Sequence, residues 1–99
     1  MATKRTLDER YKDALQTQSE KRNFAIVIAK EAARRLIARF RGKATINAVG
    51  EFSEIEYFAG EQCHYNDIVD TAIGWVDKEI IKTNHVYLDG LVVLQYWVI

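Results

Sequence analysis

Cys63, His64 and His85 are the only thiol and imidazoles in this 99-residue sequence, so any cysteine–histidine chemistry must come from them. A nucleophilic cysteine needs an imidazole within hydrogen-bond reach. Adjacent residues of an extended segment point to opposite sides, which places Cys63 and His64 poorly for that role, and nothing in the spacing brings His85 to Cys63. A zinc site needs about four ligands at recognisable spacing, and one Cys with two His supplies no such pattern. Carboxylates are more plentiful: Glu51, Glu54, Glu56 and Glu61 precede Asp67 and Asp70. Asp67 and Asp70, three residues apart, share a face if that segment is helical. Paired carboxylates there can exchange a proton or hold a divalent cation. Such a run more commonly forms a solvated acidic surface and the charges that favour a helix start. No calcium loop of the Asp-x-Asp-x-Asp-Gly kind, Gly-rich phosphate loop, GxSxG or HExxH occurs. The expectation is a chain with no catalytic residues, no metal and no cofactor.

Basic side chains are the second candidate chemistry, and they are unevenly placed. Residues 1–43 hold twelve Lys and Arg against five acids, a net of +7, and residues 44–99 hold Lys78 and Lys82 against nine acids, a net of −7. The formal charge of zero therefore conceals a dipole, and such asymmetry bears on partners more than on fold. Lys30, Arg34 and Arg41 fall together on one arc of a helix, flanked by Arg35 and Arg39. That stripe could follow a phosphate backbone. Yet no aromatic residue is interleaved on the arc, and the balanced total charge is unlike that of most nucleic-acid domains. A solvated face that meets acidic surface, in the same chain or another, is the preferred reading, with Lys30, Arg34, Arg35, Arg39 and Arg41 as the partner-binding face.

The elements that carry these groups follow from periodicity. Thr6-Leu7-Asp8-Glu9 has capping-box spacing with Thr6 as N-cap, and residues 6–41 read as helix. Thr17-Gln18-Ser19-Glu20 repeats the spacing and leaves open a break, but no Gly or Pro interrupts the segment, so a continuous or slightly kinked helix is preferred. Ala25, Ala29, Ala32, Ala33, Leu36, Ile37 and Phe40 form its apolar face. Gly42, after Arg39 and Arg41, suits the helix end. Residues 44–60 read as strands turning at Gly50, although Ala48, Phe52, Ile55 and Ala59 also fit a helical stripe. Residues 66–83 read as a second helix, with Asn66 as N-cap and Val69, Ala72, Ile73, Val76 and Ile80 as its stripe. Gly74 inside that helix costs about 1 kcal/mol relative to alanine and lets another backbone approach. From Val86 to Ile99 the pattern is β, with Asp89-Gly90 either a hairpin turn or a bulge in one strand.

These elements make one domain over residues 1–99, of α+β class. A long N-terminal helix and a second helix pack on one face of a small antiparallel sheet. At 48% hydrophobic and 11% aromatic, the chain is rich enough to fold. One cysteine, no glycosylation sequon and no apolar leader point to a cytoplasmic, soluble protein, and the apolar run Phe24–Ala29 is far too short for a membrane. Of Trp75, Tyr87, Tyr96 and Trp97, at least two are expected in the core and the rest in a pocket or interface.

Strand 91–99 is apolar on both faces, and one layer of helix covers only one of them. That imbalance predicts a homo-oligomer, a dimer or larger, with Val92, Leu94, Tyr96, Trp97 and Val98 at the seam. The leading expectation is a small non-catalytic interaction protein that binds a macromolecular partner, of the accessory or inhibitor type found in phages and other mobile elements. The alternative is a nucleic-acid-binding protein using the helix from Lys30 to Arg41, and the third a ligand-binding or enzymatic fold with a pocket between helix and sheet. Arg34→Glu combined with Arg35→Glu separates the first two. On the leading reading it weakens assembly in a salt-dependent way and leaves the fold intact. Loss of heparin or DNA retention at unchanged oligomeric state favours the alternative.

Overall fold

The computed structural model describes residues 7–59 and 64–99. Helix α1 spans Leu7–Phe40, strand β1 Lys43–Val49, β2 Phe52–Phe58, helix α2 Tyr65–Ile73, β3 Ile81–Leu88 and β4 Leu91–Val98. The strands form one antiparallel sheet in the order β1-β2-β4-β3, and both helices pack on the same side of it. This is the expected α+β arrangement. Among the described residues no helix is long and apolar enough to cross a membrane.

Helix α1 is continuous through residues 17–20, so the second capping-box spacing starts no new helix. The proposed N-cap, Thr6, lies outside the described residues. Thirty-four residues at a rise of about 1.5 Å make a rod of roughly 50 Å, whereas a seven-residue strand covers about 23 Å. Only the carboxyl half of the helix can lie over the sheet. There Ala25, Ala29, Ala32, Ala33 and Leu36 are buried, and the four alanines let the helix approach the strands closely. Ile37, expected in the same stripe, is 44% exposed; it lies one position round from Leu36, and the covered arc is too narrow to include it. The overhang makes the chain elongated, 61 Å by 21 Å by 19 Å with a radius of gyration of 16.7 Å, against about 13 Å for a compact chain of this length.

Two buried tyrosines fasten the helices to the sheet. The Tyr57 hydroxyl, on β2, reaches the carbonyls of Leu36 (3.4 Å) and Arg41 at the end of α1. The Tyr96 hydroxyl, on β4, donates to the Ala72 carbonyl in the last turn of α2 at 2.8 Å. Carbonyls at a helix end have no partner within the helix, and leaving one buried and unpaired costs about 1–3 kcal/mol. Burial also pushes the Tyr96 phenol well above its ordinary value, by desolvation.

The strands at 44–60 settle the choice between strand and helix there: Ser53, Ile55 and Tyr57 are buried in strict alternation, and Ala48 and Phe52 face opposite sides of the sheet. Gly50, at φ 55°, begins the two-residue turn between Val49 and Phe52. The Asp89-Gly90 signal is a hairpin, with φ of 47° and 83°, both left-handed as a type I′ turn requires.

The second helix is shorter than expected. It begins at Tyr65 with His64 as its flanking residue, so Asn66 lies inside it, and it ends at Ile73 with Gly74 beyond. Ile68, rather than Val69, is its fully buried residue beside Ala72. Residues 74–80 form turns gathered on Asp77, whose carbonyl accepts the N–H groups of Ile80 (3.1 Å) and Ile81 (2.8 Å), and whose carboxylate accepts that of Glu79 (3.0 Å). Residues 81–85 belong to β3, which pairs with β4 along its whole length. The ladder that β4 offers on that side outweighs the weak helical pattern of Ile80 to Thr83.

Gly42 joins α1 to β1 at φ 84°, and a Cβ there would overlap the Phe58 carbonyl. Gly50 has φ 55° but open space around it. Gly50→Ala should therefore lower stability by about 1 kcal/mol, and Gly42→Ala by clearly more, since the neighbouring atom is backbone and cannot move aside. Denaturant titration of the two variants checks the order.

Candidate interaction surface

Alternation along the strands sorts every sheet residue to one of two faces. The helix side takes Ile55, Tyr57, Val92, Leu94 and Tyr96, all without solvent exposure. Three of the five residues expected at an oligomer seam, Val92, Leu94 and Tyr96, are thus inside the protomer's own core and out of reach of a second chain. Val98 shares that side and packs against the same core. Trp97 alone among the five lies on the far face.

Among the described residues no other element covers that far face. The register places Lys43, Phe58, Leu91 and Leu88 in one row across the four strands, then Thr45, Glu56, Val93 and Val86, then Asn47, Glu54, Gln95 and Asn84, and last Val49, Phe52, Trp97 and Lys82. Phe58, Leu91, Leu88, Val93 and Val86 make a contiguous apolar corner, with Phe58, Val86 and Leu88 each more than 40% exposed. A polar band crosses the middle, where Asn84 donates to Gln95 (3.2 Å) and Gln95 to Glu54 (2.8 Å). At the other end Phe52 and Trp97 stack with ring centroids 4.7 Å apart, and the Lys82 ammonium lies 5.8 Å from the Trp97 ring.

The basic stripe divides between solvent and structure. Arg34 and Arg35 both bind Glu31, at 3.1 and 3.2 Å. Arg35 also sits 4.5 Å over the Trp75 ring, and Arg39 donates to the Thr71 hydroxyl at 3.1 Å. Arg35 and Arg39 therefore help to close the seam between α1 and α2. All five are exposed, and Lys30, Arg34 and Arg41 are the three not drawn toward α2 and Trp75.

Among the described residues the acidic groups do not converge. Glu54 and Glu56 stand on the far face of the sheet, Glu51 is in the β1–β2 turn, and Asp67 and Asp70 are exposed on α2, on the opposite side of the molecule. Among the described residues no group of three or more His, Cys, Asp or Glu could hold a metal ion. Cys63 and Glu61 lie outside the described residues. His85 engages Tyr65, whose hydroxyl meets its Nδ1 and whose ring also contacts Tyr87 at 5.2 Å between centroids. An open groove of about 610 Å³ lies beneath the overhang of α1, between Ser19, Lys21 and Arg22 and the strand ends at Gly50, Glu51, Trp97 and Val98. It joins charges of both signs and presents no convergent set of catalytic groups. Of the four aromatic residues singled out, Tyr96 is core and Trp75 packs against the core, while Trp97 and Tyr87 remain on the surface.

Comparison with protein-family models, with curated proteins and with solved structures finds no match. Sequence reasoning missed the open apolar corner because a strand apolar on both faces does not show which alternate residues the helices cover, and three of the five it named, Val92, Leu94 and Tyr96, are buried. Leu94→Ala should lower stability by about 2–5 kcal/mol. Leu88→Ser, on the far face, should change it by no more than about 0.5 kcal/mol in the isolated protomer. Denaturant titration at low protein concentration checks the assignment of the faces.

Proposed function

We propose that this chain is a non-catalytic, homo-oligomeric interaction protein that binds a macromolecular partner in the cytoplasm, as accessory or inhibitor proteins do. The observation that carries the reading is the sheet face left bare by the helices. Contiguous exposed apolar patches mark interaction surfaces, and here Phe58, Val86, Leu88, Leu91 and Val93 form one, rimmed by Glu56 and the Asn84–Gln95–Glu54 band. Small domains bury a limited share of their surface, and oligomerisation is the usual remedy.

Nucleic-acid binding through α1 is the second reading. Lys30, Arg34 and Arg41, with Lys21 and Arg22 on the overhang, favour it; the engagement of Arg35 and Arg39 within the chain removes two of the five cations it was built on. Light scattering at high micromolar concentration should report a dimer or larger species. A stable monomer of about 11 kDa overturns the oligomeric part of the proposal, and salt-sensitive retention on heparin moves the partner to nucleic acid.

A further inference from the structure

The edge strand β3 is exposed on both of its faces at once. Val86, Tyr87 and Leu88 are consecutive, so they alternate between the faces, yet they are 42%, 45% and 59% exposed. Among the described residues β3 pairs only with β4, and its other edge is free. Protected edges carry prolines, bulges or charges along their length; this one has a single lysine, Lys82, near its start.

The direction of the free groups is fixed by the hairpin. A two-residue turn makes Leu88 and Leu91 a hydrogen-bonded pair, so the even-numbered residues of β3 bond to β4 and the odd-numbered ones face outward. The strand's start agrees: Ile99 donates to the Ile80 carbonyl, while the Ile81 N–H turns away and donates to Asp77, each at 2.8 Å. With Ile81 taken, the free outward row is Thr83, His85 and Tyr87, and His85 is its centre.

We infer that β3 is a self-pairing edge: two copies of this chain join antiparallel through β3, about a two-fold axis at His85, into one continuous eight-stranded sheet. A two-fold axis perpendicular to a sheet keeps each residue on its own face, so only registers centred on a residue are allowed. Centring on His85 pairs every free outward residue: Thr83 with the second copy's Tyr87, and His85 with its own mate. On the far face Val86 lies opposite Asn84 and diagonal to the other Val86, and Lys82 lies beside the Asp89 turn of the second copy. That contact joins opposite charges twice, once on each side of the axis. The pairing sets the two Val86 side chains beside the axis at the centre of a single bare face and lays each Leu88 corner against the Lys82 end of the second copy; that face stays open to a further partner.

This inference rests on the homo-oligomeric reading above, and one set of variants tests the two separately. Facing residues of a hydrogen-bonded antiparallel pair have Cα atoms about 5.5 Å apart, within disulfide range. In a Cys63→Ser background, His85→Cys should form a disulfide-linked dimer on oxidation with diamide, and Asn84→Cys, two residues out of line with its mate, should not. Thr83→Pro removes an outward N–H and spares the bonds to β4, and should raise the dimer dissociation constant about tenfold or more. Val86→Lys, which keeps the backbone intact, should act in the same direction by repelling its mate across the axis. Bridging at residue 84 in place of 85 overturns the register. An oligomer that neither bridges nor responds to Thr83→Pro and Val86→Lys overturns edge pairing and leaves the oligomeric reading standing. A monomer at high micromolar concentration overturns both.

Discussion

Two phenol hydroxyls tie this fold together. Tyr57 and Tyr96 stand on the neighbouring strands β2 and β4, point to the same side, and reach backbone carbonyls at the ends of α1 and α2 respectively. Each fills core volume and also serves a polar group that the helix cannot serve itself. The positions of the two helix ends are thereby set relative to the two central strands. From that attachment follow the abrupt exit of α1 through Arg41 and Gly42 and the placement of both helices on one face.

A consequence is that the sheet is one-sided. The alanine stripe of α1 brings its axis close to β2 and β4, and α2 fills the space over β4 and β3 with Ile68, Ala72 and Ile73. Nothing remains in the described chain to cover the opposite face. Apolar side chains there are held in a layer half wrapped by their neighbours, with a polar band between two apolar ends. The residues that an associating surface can use are consequently Phe58, Leu91, Val93 and Trp97, each displaced by one position from a core residue in the same strand, together with Val86 and Leu88 on the edge strand.

Charge plays two separable parts. Arg35 and Arg39 act within the chain, over Trp75 and on Thr71, where a flat guanidinium can stack and donate at once. The pairs with Glu31 are exposed and contribute little, about 0.3–0.5 kcal/mol each as helix neighbours. Lys30, Arg34 and Arg41 project outward, and Glu54 and Glu56 sit on the other side of the sheet. Among the described residues the cations from Lys21 to Arg41 thus lie along α1 and at its end, while the anions divide between the far face of the sheet, at Glu54 and Glu56, and α2, at Asp67 and Asp70.

The sequence by itself determined what local periodicity and turn chemistry encode. The long α1, the strands on either side of Gly50, the Asp89-Gly90 hairpin and the α+β class were all legible, because a 3.6-residue or two-residue repeat, or a residue suited to positive φ, is a property of neighbours in the chain. The tertiary structure alone decided where α2 stops, since residues 81–85 are drawn into β3 by pairing with β4. It alone decided which alternate residues of β4 are core: Leu91 to Val98 is apolar on both faces, so pattern could not distinguish Val92, Leu94 and Tyr96 from Leu91, Val93 and Trp97. The helices choose one set by packing on it, and the set they leave is the surface on which function is proposed. Nor could the sequence separate Arg35 and Arg39 from Lys30, Arg34 and Arg41, because their roles depend on where α2 and Trp75 lie across the fold.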